Sequence, residues 1–191
     1  MSKKIHLQFW VITAIIILAA ATRLIPHAYN FSPLGAIALF GAAHFARKVY
    51  AVIIPLAATW LSDLFLNNVI YKAYFPEFTW IYPGFYWIYG SYLLIVLAGI
   101  GIFSKITVVR TAIGALSASA IFFIVSNFGV WAAGGMYPKT FEGLMLCYTA
   151  ALPFLQGTLT GDIIFSTLLF GGYYLLQRRF VALRPQAQSY A

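Results

Sequence analysis

The chain has little charge and almost no acid. Only 8% of its 191 residues are charged and four are acidic, whereas globular domains carry about 25% charged residues. A soluble domain of this length has too few ionic groups here to cover its surface. A single cysteine, Cys147, excludes an internal disulfide framework and a Cys-rich metal site. It lies in an apolar run and reads as a packed free thiol. No G-x-x-x-x-G-K-[ST], H-E-x-x-H or G-x-S-x-G occurs, which excludes P-loop ATP binding and the familiar zinc and serine hydrolase signatures. No nucleophile–base pair stands at recognisable spacing, so no catalytic residue, cofactor or metal is expected, and the protein is not read as an enzyme. Any active uptake must therefore draw on an ion gradient or on an energising membrane/ATPase module in separate chains.

What the chain has is apolar length. It is 62% hydrophobic, with a mean hydropathy of +0.86 and several runs approaching the roughly 20 residues that span a bilayer. The expected fold class is an all-α membrane protein of six transmembrane helices, at about 7–22, 33–46, 49–67, 84–103, 111–133 and 157–177. Residues 1–177 form one membrane domain, followed by a short, basic, mobile tail over 178–191. The second segment is short for a bilayer and must lean on its neighbours or begin inside the membrane. The piece 143–155, "GLMLCYTAALPFL", is too short to cross alone and reads as an interfacial or re-entrant helix before the last span. The first 23 residues imitate a secretory signal, but cleavage would leave an odd number of spans, so a retained first helix is expected.

The net charge of +8 does not point to nucleic acid, because the basic residues flank apolar runs. Lys3, Lys4, Arg47, Lys48, Lys105, Arg110, Arg178, Arg179 and Arg184 alternate in side with Arg23, Lys72 and Lys139. Nine against three places both termini in the cytoplasm of a cell whose inner membrane holds the protein. The long connections 23–32, 68–83 and 134–156 then all face outward, and they hold most of the chemically interesting residues.

Three stretches carry polar groups. In "RLIPHAYNFSPLG", Ser32-Pro33 reads as an N-cap and first helical residue. The start of the second helix then lies beside Arg23, His27 and Asn30, where exposed N–H groups suit an anionic or strongly polar ligand group. A capped turn with Arg23 reaching the lipid headgroups fits the same residues. His27 lacks companion ligands for a metal. In "TWLSDLFLNN" and "TLTGDIIFS", Thr59, Asp63 and Asn67 share one helix face, and Thr158, Asp162 and Ser166 share another. A carboxylate in a spanning helix costs about 2.5–3.5 kcal/mol on insertion scales, so it faces a partner or a wet cavity. Asn127 and Ser126 lie at a similar depth in the fifth span. Either a buried Arg–Asp bridge fixes the packing, or a ligand pocket uses that bridge. Finally, half of the 22 residues 71–92 are aromatic. Most belong to an interfacial belt, but Tyr82 and Trp87, with Trp131 further on, are candidates to wall a flat ligand. Small residues recur every four positions at Ala38, Ala42 and Ala46, and again at Gly114, Ala115, Ala118 and Ser119, which permits close helix contacts.

"RLIPHAYNFSPLGAIALFGAA", "SDLFLNN", "SNFGVWAAGGMYPKTFEGLMLCYTAALPF" and "TLTGDIIFSTLLFG" resemble the DUF6580 family of bacterial membrane proteins, regarded as transport proteins. That family is similar to the S-components of energy-coupling-factor vitamin transporters, six-helix proteins with both ends inside and a site built from outer loops. Nearest among them are the solitary cobalamin transporters, whose histidine and aspartate are matched by His27 and Asp63, and whose tyrosine is matched loosely by Tyr82. Their loop cysteine has no counterpart in 68–92, so cobalt coordination and thiolate decyanation do not carry over. The resemblance implies capture of a small, vitamin-like molecule, cobalamin or a related corrinoid among the candidates. The alternative is an accessory membrane subunit that binds a protein partner and no ligand. The residues expected to meet a ligand are Arg23, His27, Asn30, Asp63, Asn67, Tyr82, Trp87, Asn127, Trp131 and Asp162.

Overall fold

A computed structural model describes residues 3–184, and among these the chain is all-α, with no strand. Six α-helices follow one another: α1 (Lys3–Ala21), α2 (Leu34–His44), α3 (Lys48–Phe65), α4 (Phe85–Ile102), α5 (Val108–Ala133) and α6 (Phe141–Arg179). Helix α1 closes in a 3₁₀ turn, Thr22–Leu24, and the chain turns extended at Ile25, as the residue before Pro26 must. Helix α5 starts at Thr107, whose hydroxyl accepts the Arg110 N–H, and α6 starts at Thr140, whose hydroxyl accepts the Gly143 N–H. Both satisfy donors that a helix start leaves unpaired.

All of these helices except α2 are long and apolar enough to cross a membrane, α1 continuing through its 3₁₀ turn and α3 through a π turn, Leu66–Ile70. Many of their large side chains, such as Leu18, Val108 and Leu168, are exposed on the outside of the bundle. Such a surface suits lipid and not water.

Helix α2 is the exception and the centre. Its 11 residues reach about 16 Å, roughly half of a hydrocarbon core. Every residue from Leu34 to Ala42 is buried, so the other helices surround it on all sides, as an all-apolar helix requires. Close approach depends on small residues. A Cβ at Gly99 of α4 would fall 2.8 Å from Ala42 Cβ, and one at Gly41 would fall 2.8 Å from Cγ of Pro55 in α3. Gly114, Ala115, Ala118 and Ser119 of α5 are likewise buried, whereas Ala46 lies beyond α2 and is exposed. Phe40 fills the lower core, edge-on to Phe170 and Tyr173 of α6.

Two expectations are corrected. The segment 143–155 is not a separate interfacial or re-entrant piece. It is the first third of the 39-residue α6, which carries Pro153 inside it. The hydrogen bonds of Cys147 Sγ to Asn127 O and Tyr148 Oη to Ile124 O join it to the end of α5, and the helix continues through the proline. The start of the tail is also ordered. Residues 178–184 finish α6 and form a 3₁₀ turn with Leu183 buried, and Gln8 of α1 donates to Arg184 O. The remainder of the expected tail, 185–191, lies outside the described residues.

The Gln8–Arg184 contact puts the two ends of the described chain at one end of the bundle. Arg23, which bonds Asp63 at the far end of α3, marks the other.

If α2 is the hub, Phe40→Ala should cost about 3–5 kcal/mol of stability. Tyr74→Ala, at an exposed aromatic, should stay within about 0.5 kcal/mol. Thermal unfolding in detergent, followed by tryptophan fluorescence, measures both; equal losses would contradict the central placement of α2.

Candidate functional site

Because α2 is short, its first turn ends deep inside the bundle, and the chain from Ile25 to Pro33 dips in to reach it. Above that turn lies a cavity of about 440 Å³. Its floor is the start of α2, Leu34 and Gly35. Its walls come from α3, α4, α5 and α6 and from the segments 23–32 and 71–82.

Helix α3 contributes Asp63, where an α-helix loosens into the π turn Leu66–Ile70, a feature found often at functional positions. Asp63 Oδ1 accepts from Arg23 Nη1 at 2.7 Å and Oδ2 accepts from Tyr89 Oη at 2.7 Å. Arg23 also donates to Ser62 Oγ, whose own hydroxyl donates to Thr59 O. The ion pair is largely buried, with side chains 16% and 9% exposed. The Arg–Asp bridge and a cavity-lining role therefore coexist in the same two residues.

Asp162 has a different neighbourhood. It is 2% exposed, accepts from Ser119 Oγ of α5 at 2.7 Å, and is turned toward the backbone N–H of Ala36 in α2. It lies so close over the first turn of α2 that a Cβ at Gly35 would fall 2.2 Å from its Oδ1. The N-terminus of α2, which the sequence offers to an anionic ligand group, lies under the chain's own carboxyl group, as suits a buried helix start. Ser32 Oγ accepts from Leu34 N at 3.4 Å, while Pro33 takes the cap position.

The segment 28–32 is pressed onto α6 at two glycines. A Cβ at Gly157 would fall 2.0 Å from Tyr29 O, and one at Gly161 would fall 2.9 Å from Ser32 N. Backbone lies on backbone there, and Asn30, at φ 57, makes the left-handed turn that asparagine tolerates. His27 is exposed at the rim, its Nδ1 beside Ala28 O.

Arg23, His27, Asn30, Asp63, Tyr82 and Asp162 thus all line one cavity. Asn127 lines a smaller adjoining space of about 200 Å³, which shares Asn30 and Thr158 with the first, and its amide donates to Phe123 O. The structure does not bring Asn67, Trp87 or Trp131 to either space. Asn67 is buried in the π turn. Trp87 covers Gly129, where a Cβ would meet its ring at 2.2 Å. Trp131 donates to Pro138 O, with the Lys139 ammonium 5.6 Å above its ring, and so shapes the α5–α6 turn.

Sequence reasoning missed Tyr71, Tyr92 and Phe122, which wall the cavity, and Tyr89 and Ser119, which orient the carboxylates. Tyr92 and Phe122 stack at 5.5 Å. The available signals were the Gly157-x-x-x-Gly161 spacing and the Ser119 face of α5. The other aromatics of the 71–83 loop, Tyr74, Phe78 and Trp80 among them, point outward, as a belt would. That loop is pinned by Asn68, which exchanges hydrogen bonds with the backbone of Thr79. Burial, then the nearby Asp63 carboxylate, pushes the Tyr82 hydroxyl above its ordinary pKa against the opposing effect of Arg23.

Two measurements probe this geometry. Gly157→Ala should lower stability by about 1–3 kcal/mol through overpacking, while Gly171→Ala, with nothing near its Cβ, should be neutral or better. A double-mutant cycle of Arg23→Gln and Asp63→Asn should return a coupling of about 0.5–3 kcal/mol; a coupling of zero would show that the pair does not act together.

No curated protein and no solved structure matches the chain. The sequence profile of DUF6580, a family of unknown function, matches residues 3–186; the chain belongs to that family.

Proposed function

We propose that this protein is a small-molecule uptake protein of the bacterial inner membrane, similar in plan to the S-components of vitamin transporters. Both termini face the cytoplasm, by the nine-to-three distribution of basic residues. The cavity then opens outward. Ligand enters between the 25–32 and 71–83 segments, and binding is followed by a rearrangement that presents it to the inside. Differential affinity for the two states supplies the coupling.

The observation that carries this reading is the unfilled cavity of about 440 Å³ around Arg23, Asp63 and Asp162. Its size falls within the 300–1,000 Å³ of ligand pockets, and its mixture of aromatic wall and few convergent polar groups is theirs too. Asn30, Tyr82 and the Arg23–Asp63 pair orient polar groups of the ligand, and the Tyr92–Phe122 stack offers a flat apolar surface. A vitamin-like molecule of modest size fits inside. A corrinoid, bulkier than the cavity, would engage it by one edge and project from the mouth.

The rival reading, an accessory subunit without ligand, calls for an outer space filled by side chains and small-residue faces left to lipid. Here the space is open and Ala38, Ala42, Gly114 and Ala118 are buried. An enzymatic role calls for His27 within hydrogen-bond reach of a carboxylate, whereas its Nδ1 lies beside Ala28 O and the two carboxylates bond Arg23, Tyr89 and Ser119.

Native mass spectrometry of gently purified protein tests the proposal. A retained small molecule is expected, and Asp63→Asn should reduce its occupancy at least about tenfold, the effect of losing one charged hydrogen-bond partner, without changing elution from a sizing column. A retained protein partner with no small molecule would favour the accessory subunit and overturn the uptake reading.

A further inference from the structure

At the end of the bundle where α5 begins and α6 finishes, the basic residues are of two kinds. Some close helices. Lys48 Nζ donates to Ala42 O in the last turn of α2, Arg110 Nη1 donates to Ile102 O and Ser104 Oγ after α4, and Arg184 donates to Gln177 O and Arg178 O of α6. Those carbonyls lack intrahelical donors, so these cations are engaged. Lys105 and Arg178 differ. Both are exposed, and among the described residues neither side chain makes a hydrogen bond or an ion pair. No acidic side chain stands near them either. Of the chain's four, Asp63 and Asp162 line the outer cavity, and Glu77, in the loop before α4, and Glu142, in the first turn of α6, lie at the opposite end.

These two cations flank a groove of about 640 Å³ on the outer surface of α5 and α6. Lys105 immediately precedes Ile106, where the groove begins, and Arg178 lies one turn beyond Tyr174, the last groove residue of α6, on the same helix face. The space exists because small residues, Ala112 and Ala115 of α5 and Gly171 of α6, stand where larger side chains would fill it; a Cβ at Gly171 would meet nothing within 4 Å. Val108, Leu116, Ile163 and Tyr174 along it are exposed, so it opens to lipid. Its hydroxyls Thr111 and Thr167 are turned back onto Thr107 O and Ile163 O, and Ser166 is buried beneath it, which leaves an apolar wall. From Val108 to Leu116 the groove rises about 12 Å along α5, and from Tyr174 back to Ile163 about 16 Å along α6. That is half of a roughly 30 Å hydrocarbon core, the depth of one leaflet.

We propose that this groove is a binding site for an anionic phospholipid, with an acyl chain laid between α5 and α6 and the phosphate held by the Lys105 ammonium and the Arg178 guanidinium. Charge decides the occupant. Two unpaired cations at the mouth of a leaflet-deep apolar groove match a headgroup that bears net negative charge, and a guanidinium suits phosphate oxygens in particular. A zwitterionic lipid brings its own cation beside the phosphate and gains less. A second copy of this chain has no acidic side chain at this end to offer. In the orientation proposed above, the lipid belongs to the cytoplasmic leaflet, whose anionic headgroups attract basic residues beside spanning helices. The site itself depends neither on that orientation nor on a solute in the outer cavity.

Native mass spectrometry of delipidated protein in mild detergent, titrated with phosphatidylglycerol or with phosphatidylcholine of the same acyl chains, tests the site. Phosphatidylglycerol should bind more tightly, by about fivefold for each cation and roughly thirtyfold for the two. Lys105→Gln with Arg178→Gln, both at exposed positions, should abolish the preference. Arg47→Gln should leave it unchanged, because α3, which Arg47 precedes, packs chiefly on α1, α2 and α4. Gly171→Phe should fill the groove and weaken both lipids. The proposal is overturned if the two lipids bind alike, or if the double variant keeps the preference. It is overturned equally if Arg47→Gln lowers the preference as much as the double variant does, which would mark a general effect of basic surface. A second copy or another protein retained by the native chain and released by Gly171→Phe would assign the groove to that partner instead. None of these outcomes involves the solute of the outer cavity, so failure here and failure of the uptake reading are told apart.

Discussion

The structure turns on how a helix can begin in the middle of an apolar bundle. Helix α2 starts at Leu34, far from either end, and its first N–H groups have no intrahelical acceptor. Without water to solvate them they need a partner from the protein. Ser32 Oγ takes the Leu34 N–H, and Asp162 lies over the first turn with its carboxylate turned toward Ala36 and held on its other side by Ser119. The positive end of the helix suits a carboxyl group there, and α2, α5 and α6 meet at that point. Because α2 starts so deep, space remains above it, and the cavity occupies that space.

Asp63 and Asp162 look alike in sequence, each centred in a four-residue polar spacing, yet they are compensated in opposite ways. Asp63 meets a full positive charge on Arg23 and a phenol from Tyr89. Asp162 meets only neutral donors. Removing a partner from the first strands a charge that has a strong and specific counterpart. Removing Ser119 from the second leaves a carboxylate still held by a helix start. The Arg23–Asp63 pair therefore ties the turn after α1 to α3 at the rim of the cavity through opposite charges, whereas the Ser119–Asp162 bond ties α5 to α6 without a counter-charge.

Much of this was legible from residue order. Apolar runs bounded by Pro, Gly and basic residues placed the first five helices and the end of the sixth to within a few positions, because membrane solvation leaves the backbone few alternatives. The shortness of α2 was visible, and so were the buried faces of Thr59, Asp63 and Asn67 and of Thr158, Asp162 and Ser166. The continuity of α6 through Pro153 was not, since a proline's local preference is to end a helix, and contacts such as those of Cys147 and Tyr148 with α5 are tertiary. Tyr71, Tyr92 and Phe122 were equally hidden: in the aromatic-rich loop Tyr71 and Tyr82 turn inward and Trp80 outward, and Tyr92 and Phe122 lie among the apolar residues of α4 and α5, so only tertiary packing decides which rings reach the cavity. Trp87 and Trp131 illustrate the converse, large rings used on Gly129 and on the α5–α6 turn.

The cavity also depends on residues that contribute no side chain at all. Gly157 and Gly161 let the 28–32 segment lie with its carbonyls and N–H groups against the α6 backbone. A methyl at either position would push that segment toward the cavity, and Asn30 and Ser32, which line it, would move with the backbone. The same two glycines lie on the turns just before Asp162, so the segment that roofs the site and the carboxylate that anchors its floor are fixed to one stretch of α6. Any rotation of that stretch shifts roof and floor together.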